Sequence, residues 1–572
     1  MLLTGLLPLL ASDPAVAAAA DSIAAGRSGA LVAPSGLRAP IAAHIASRAT
    51  TPVVVLTATG REAEAMTAAL ASWTAGAAAF PAWETLPHER LSPQVDTMAS
   101  RIAVLRRLAH PVQGDAFAGP LSVLVVPVRS FLQPIIRGLA DLEPVRIAVG
   151  DVVDLPEATA RLSDLGYQRV DMVEARGQMS VRGGILDVFP PQEPHPLRVE
   201  LWGDEVEEIR AFSIQDQRTL GAAPHGLWAV PCRELLLTGA VRQRAKALQR
   251  EHPQLSDMLS RLAEGHAVEG MEALIPVLVD GLELITDVLP QRSLVLLAAP
   301  ELVRARAVEL VATSEEFLSA SWAAAASGGT SPIDLGASSY RALGEVREHT
   351  MGLGHKWWSL TPFTADEAPD ANLDAGSVHS RQLGITPTED FRGDVDAAVA
   401  HIQGRLRDGW RVLIGVEGQG LASRMTELLA EHQITADLSE LDSEPETGTA
   451  HVVVGSFRRG WRAGPAKLEL LTAAELSGQQ AAERGQRKLP SRRRNTIQPL
   501  ELKAGDPIVH EVHGVGRFVE LVQRTVQGAV RDYLVIEYAA SKRGQPGDRL
   551  FVPMDQLDQL TRYVGSETPA LD

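Results

Sequence analysis

From residue 29 onward, short β-branched runs alternate with stretches whose apolar positions recur at helical spacing. Gly29 to Ala33 and Val53 to Thr57 follow the first pattern, Leu37 to Arg48 and Glu62 to Trp73 the second, and Leu121 to Pro127 returns to the first. Strands and helices taking turns predict a doubly wound parallel sheet covered by helices on both faces. Between Asp151 and Val230 the pattern changes. Val181 to Phe189 and Leu197 to Ile214 alternate apolar with polar positions, no long helix intervenes, and Gly203-Asp204 supplies a hairpin turn. The reading is an antiparallel unit inserted into the α/β one. Helical spacing resumes at Val241, and the β-run Ser293 to Ala298 continues the interrupted architecture.

A second alternation follows, with helix Asp394 to Asp408, strand Arg411 to Val416, helix Leu421 to His432 and strand His451 to Val454, which predicts a small flavodoxin-like α/β unit. Ala323 to Ser331 reads as a loop and the acidic Asp366 to Ser377 as a linker. Gln479 to Leu502 carries Arg484, Arg487, Lys488, Arg492, Arg493 and Arg494 with little apolar content, so it is expected to be an exposed connector; whether it touches nucleic acid stays open. Beyond it, Ile508-Val509, Gly516 to Gln523, Tyr533 to Tyr538 and Leu550 to Val552 predict a small β-barrel. The expected division is residues 1–150 and 236–375 for the first α/β unit, 151–235 for the antiparallel insertion, 385–478 for the second α/β unit, 479–502 for the basic linker and 503–566 for the β module.

At ~150 residues per domain, a chain of 572 residues exceeds what one core organises, in line with this division. Lys and Arg number 54 against 71 Asp and Glu, a net charge of −17, so contact with a polyanion has to be local. The lone Cys232 excludes an internal disulfide and fits a reducing cytoplasm. The apolar start Met1 to Leu10 has no Lys or Arg before it and falls well short of the ~20 residues that span a bilayer, so an N-terminal helix is expected and no membrane partner.

A nucleotide-hydrolysing motor needs Gly-rich backbone donors, a Lys on the phosphates and a hydroxyl on Mg²⁺. None of the six lysines, Lys246, Lys356, Lys467, Lys488, Lys503 and Lys542, follows a glycine. The segment after the first strand, Ala33-Pro34-Ser35-Gly36-Leu37-Arg38, keeps Ser35, Gly36 and Arg38 as a degenerate nucleotide loop. Gly415 to Gly420 reads as a tight strand-to-helix turn, and His510 and His513, three apart on a predicted strand, lack metal-site spacing. No catalytic residue, metal or cofactor is therefore expected. Surfaces remain: Arg176, Arg182, Arg198 and Arg210 interleave with Phe189, Trp202 and Phe212, a mixture suited either to an interface or to a core with charged edges.

Three dispersed segments carry a resemblance. Phe80-Pro-Ala-Trp83 through Ser92-Pro93, with Asp96 and the helix from Arg101, resembles the N-terminal module of the bacterial transcription-repair coupling factors. Arg182-Gly-Gly-Ile-Leu-Asp187-Val-Phe189-Pro190 and Arg198-Val-Glu200-Leu-Trp-Gly-Asp204 resemble the second domain of that family, shared with UvrB. His510 to Phe518, Tyr533 to Tyr538 and Phe551-Val-Pro553 are similar to its polymerase-interacting, CarD-like or Tudor-like module. The resemblance implies a degenerate helicase-like α/β domain and a scaffold that binds the β subunit of stalled RNA polymerase and recruits UvrA to nucleotide excision repair. It implies UvrA contacts at Arg176, Arg182, Phe189, Arg198 and Glu200, with Phe189 either an anchor or a core residue, and polymerase contacts at Arg524, Thr525 and Val526. In that family a two-lobed translocase using ATP and Mg²⁺ follows and makes the main contacts with damaged or upstream DNA; the sequence given ends at Asp572. A CarD-like regulator and an ATP-dependent translocase are the competing classes.

Overall fold

The computed structural model describes residues 2–87, 91–252, 255–327, 336–363, 380–438, 441–477, 505–510, 514–526, 529–538, 549–553 and 560–562. The expected linker at 366–377 and the basic connector at 479–502 lie outside them. Seven parallel strands form the first sheet, in the order Ser380–Gln382, Gly29–Val32, Lys356–Thr361, Leu294–Ala298, Val53–Thr57, Val123–Pro127 and Ala77–Ala79. Its central strands are apolar on both faces because both are covered. Val53, Val55, Val123, Val125, Leu294 and Leu296 enter one core layer, while Val54, Leu56, Leu124, Val126, Val295 and Leu297 enter the opposite one.

Two expectations change here. The first sheet is completed by Ser380–Gln382, beyond the expected boundary at 375, because that short strand pairs with the outer side of Gly29–Val32. The segment read as a loop from Ala323 continues helix Pro300–Ser327 as far as its end, since an Ala-rich run favours helix once its start is anchored on the sheet. At the N-terminus, helical segments Thr4–Leu10 and Pro14–Ala24 are bent by 96°, and no single helix among the described residues is long and apolar enough to cross a membrane. Leu3, Leu6, Leu7 and Leu10 are buried in the first core layer instead.

The insertion is a six-stranded sheet, ordered Thr219–Ala222, Glu205–Phe212, Leu197–Trp202, Ile185–Val188, Gln178–Arg182 and Gln168–Arg169, antiparallel except for the last pairing. Gly203, at φ +68°, makes the expected turn. Helix Val95–Ala109 joins this unit to the first. Its Arg101 is fully buried and donates from Nε to Glu234 at 2.5 Å, on the return path from the insertion, and from Nη1 to the Pro81 carbonyl at 2.9 Å. Glu234 also accepts the Trp83 indole N–H at 2.9 Å, and the guanidinium lies 4.2 Å from the centre of the Phe80 ring. The Phe80 to Trp83 segment is thus the wall of a buried ion pair.

The second α/β unit has four parallel strands, Leu468–Thr472, Arg411–Val416, Ala450–Val454 and Ala436–Leu438, extended by an antiparallel edge of Trp461–Ala463 and Ile385–Pro387. Those last two strands depart from the purely parallel alternation expected. One face of this sheet, through Leu413, Val453, Trp461, Leu468 and Leu470, enters the same core layer as Leu31, Val53 and Leu296 of the first sheet. The two α/β units therefore share a core. The C-terminal sheet is antiparallel, ordered Arg549–Pro553, Ala529–Glu537, Gly514–Val526, Pro507–His510 and Leu560–Arg562, around Ile508, Phe518, Leu534, Ile536 and Val552.

Breaking one partner of a buried ion pair leaves an uncompensated charge, so Glu234→Ala is expected to cost about 3–5 kcal/mol in urea unfolding. The double change Arg101→Met with Glu234→Leu is expected to regain most of that; a single variant within about 0.5 kcal/mol of the parent would refute the assignment. A second group sets acid stability. Burial raises the pKa of Glu469, but hydrogen bonds from His401 and Thr388 and the charges of His401 and Arg405 outweigh it, and the net shift is downward. A depressed carboxylate contributes stability above its unfolded value, ~4.3, and loses it as pH falls through the folded value. Glu469→Gln is accordingly expected to flatten the loss of stability in acid-titrated melts below that pH.

Candidate functional site

Alternation along Leu197–Trp202 sends Leu197 and Val199 into a core with Leu186, Val188, Val206 and Ile209, leaving Arg198 and Glu200 on the opposite face. Register places Ser180, Asp187, Arg198 and Arg210 in one row across four strands and Arg182, Ile185, Glu200 and Glu208 in the next. Asp187 accepts Nε and Nη2 of Arg198 at 2.8 and 2.9 Å, a bidentate pair that raises the guanidinium pKa. Arg198 also lies 4.6 Å from the centre of the Phe212 ring. Glu200 accepts Nη2 of Arg210 at 2.6 Å, with Glu208 3.4 Å from its Nε. Arg182 is different: it is exposed, and its guanidinium donates to the main-chain carbonyl of Asp171, at 3.0 Å from Nε, rather than to a carboxylate. Its charge can therefore meet an acidic partner.

The other two expected contacts fall elsewhere. Phe189, expected as either an anchor or a core residue, is 4% exposed and clustered with Val173 and Phe212, so its ring lies in the core here and is not open to a partner. The ring was drawn inward because the outer face needs an apolar floor beneath its arginines: Arg176 sits 5.3 Å from the centre of the Phe189 ring. Arg176 in turn donates from Nη1 to Asp96 of helix Val95–Ala109 at 2.8 Å and from Nη2 to the Glu193 carbonyl at 3.2 Å. It fastens the inserted sheet to the α/β unit. Sequence reading missed Asp187 and Glu208 as partners of the expected arginines; the signal is their register, which exists only after the strands have paired.

The C-terminal sheet offers a different surface. Gly514–Val526 pairs with Ala529–Glu537 from Arg517 opposite Glu537 to Val526 opposite Ala529. Pro507–His510 covers only Gly514 to Arg517, and Arg549–Pro553 covers only Tyr533 to Glu537. From Glu520 to Val526 the longer strand is thus laddered on one side only among the described residues. The expected contact residues Arg524, Thr525 and Val526 lie at this far end, opposite Arg531, Val530 and Ala529.

The degenerate loop forms a short 3₁₀ turn, Ser35–Leu37, leading into helix Arg38–Arg48. A cavity beside it is lined by Ser35, Arg38, Thr57 and Glu62 from the first unit and by Phe457 and Arg458 from the second. Burial lowers the pKa of Arg38, while Glu62 and Glu301 raise it. A Cβ on Gly36 would stand 2.3 Å from the carbonyl oxygen of Arg459, so only glycine lets the second unit approach this closely. Burial pushes the Cys232 thiol up to about 12, which makes it an inert core group. Among the described residues no group of three or more His, Cys, Asp or Glu side chains is placed to hold a metal ion.

Residues 145–226 match the UvrB interaction domain, and residues 502–564 match the CarD-like/TRCF RID domain. Over 563 residues, 95% of its length, the chain is 44% identical to the transcription-repair-coupling factor of Mycobacterium tuberculosis, covering 44% of that protein. It is 28% identical over 576 residues to the protein of the same name from Myxococcus xanthus, covering 95% of this chain and 46% of the relative. With the Bacillus subtilis transcription-repair-coupling factor the identity is 24% over 509 residues, 85% of this chain and 41% of the relative. The chain spans less than half the length of these curated relatives.

The contact at Gly36 predicts that Gly36→Ala overpacks the junction and destabilises the protein by about 1–3 kcal/mol in urea unfolding. Unchanged stability would mean that the loop and the second unit are not held together in solution.

Proposed function

We propose that this chain is the recruiting portion of a transcription-repair-coupling factor, with the outer face of its inserted sheet docking UvrA and the open edge of its C-terminal hairpin docking the β subunit of RNA polymerase. One observation carries the reading: a match to the UvrB interaction domain covers the Arg182–Arg198–Glu200 face, and in the same chain a match to the CarD-like/TRCF RID domain covers the hairpin. In this reading Arg182 supplies a charge-assisted bond to a carboxylate on UvrA, and the preformed Arg198–Asp187 and Arg210–Glu200 pairs present a rigid surface that loses little side-chain entropy on docking. On the polymerase side, a strand added along Glu520–Val526 gains main-chain hydrogen bonds for affinity, while side chains set the choice of partner. The α/β core joins the two.

The nucleotide that helicase-like folds bind does not fit this chain's own loop. No lysine follows Gly36, the main chain of Arg459 presses against that glycine, and Glu62 would repel a phosphate placed beside Arg38. We therefore assign no ATP hydrolysis to these residues. ATP, Mg²⁺ and the main contacts with damaged or upstream DNA belong, in this proposal, to the remaining length of the relatives. With both partners in the cytoplasm, so is the action.

Charge reversal at a central interface arginine typically costs 2 kcal/mol or more, roughly 30-fold in affinity. Arg182→Glu is expected to lose UvrA in a pull-down while keeping RNA polymerase, and Thr525→Glu to do the reverse. Retention of both partners by both variants would refute the proposal.

A further inference from the structure

At one end of the inserted sheet stands a side chain that the contacts described so far leave unused. Trp202 is 80% exposed. Alternation along its strand puts it on the same face as Arg198 and Glu200, opposite the core residues Leu197 and Val199. Register sets it beside Glu205, and an isolated antiparallel bridge sets Glu205 beside Val152, which is 74% exposed. Directly paired residues share a face, so Trp202, Glu205 and Val152 form a third row after those of Arg198 and Glu200.

The row is held firmly. Gly150 and Val206 exchange main-chain hydrogen bonds with the stretch opposite, Gly150 N–H donating to the Val206 carbonyl at 2.9 Å and Val206 N–H to the Asp151 carbonyl at 2.9 Å, and Val153 N–H donates to the Asp204 carbonyl at 2.8 Å. A tryptophan presented on a laddered hairpin loses little freedom on binding, and tryptophan is the residue type most enriched among binding hot spots. The charge carried by the two paired stretches themselves is of one sign. Asp151, Asp204, Glu205 and Glu207 are exposed on these two stretches, with Glu205 directly paired with Trp202, and neither residues 147–157 nor 199–209 contain a lysine or arginine.

An exposed indole beside the Glu205 carboxylate is complementary to a guanidinium or ammonium group, which gains both a cation–π contact and an ion pair. It is not a platform for nucleic acid, where stacking aromatics lie in a basic groove, whereas a phosphate here would meet Glu205. We propose that Trp202, Glu205 and Val152 form the anchor of the UvrA-docking face and receive an arginine-bearing segment of that partner. The inference rests on the reading that this face docks UvrA, and extends it: Arg182 meets an acidic site on UvrA while Trp202, one row further along and two strands across, meets a basic one. Two opposite charge requirements on one rigid face fix the orientation of the partner.

The test titrates UvrA against the full chain and its variants. Trp202→Ala is expected to weaken binding tenfold or more with an unchanged melting temperature, and Glu205→Lys to weaken it further at low salt than at high salt. Trp202→Phe supplies a readout independent of affinity: the difference in emission between parent and variant reports this indole, and is expected to move to shorter wavelength as UvrA covers it. If Trp202→Ala binds like the parent while Arg182→Glu does not, the anchor is refuted and the docking face stands. If neither variant weakens binding, the docking face falls with it. Glu205→Lys binding as tightly as the parent would refute the basic character assigned to the partner.

Discussion

The setting of the inserted sheet on the α/β unit depends on one helix, Val95–Ala109, and on the ion pair it buries. Arg101 is wholly enclosed, and its bond to Glu234 joins the segment before the inserted sheet to the segment that returns from it. Removing two charges from water is costly, and the cost is offset only when geometry and further hydrogen bonds are good. Here the Trp83 indole and the Pro81 carbonyl supply those bonds, and the Phe80 ring supplies a flat wall. The same helix holds Arg176 through Asp96 and packs Ala99 and Ala103 against Trp228 and Val230. Three fastenings on one element leave the inserted sheet little freedom to turn. Its outer face is thus presented in a defined direction.

A second constraint joins the α/β units. Faces of two separate sheets contribute to one apolar layer, and the N-terminal leucines fill the space between them. Burial of this layer is the driving force for their union, because each sheet alone would expose a row of aliphatic side chains. The place where a helicase-like fold would cradle phosphate lies at this junction, pressed by Phe457, Arg458 and Arg459.

The elements most legible in the sequence were those with strong local signals. The strand Val53–Thr57 and the strand Arg411–Val416 are found with the bounds their β-branched runs suggested, and the Gly203 turn joins the expected hairpin. Lys356–Thr361, by contrast, carries Trp357 and Trp358 to opposite faces of the first sheet, yet its Lys-Trp-Trp-Ser start has no aliphatic run to announce it. The Trp461–Ala463 strand is three residues long and antiparallel, too short for any periodicity to register. Such strands exist because a neighbour offers an unpaired edge. That offer is not written locally.

The composition and the order of residues by themselves determined that the chain has several α/β and β units, that its loop at Ser35 to Arg38 lacks a phosphate-binding lysine, and that Arg and aromatic residues interleave near residues 176–212. Only the tertiary structure decided which of those residues face outward. Phe189 and Trp202 are both large aromatics at the ends of strands in the inserted unit, yet one is 4% and the other 80% exposed. The difference arises from what lies across each position: Phe189 meets Val173 and Phe212, brought from distant parts of the chain, whereas Trp202 ends a hairpin above which no further layer is placed among the described residues. Exposure is a property of the neighbours a fold assembles, and long-range neighbours cannot be read from alternation along a single strand.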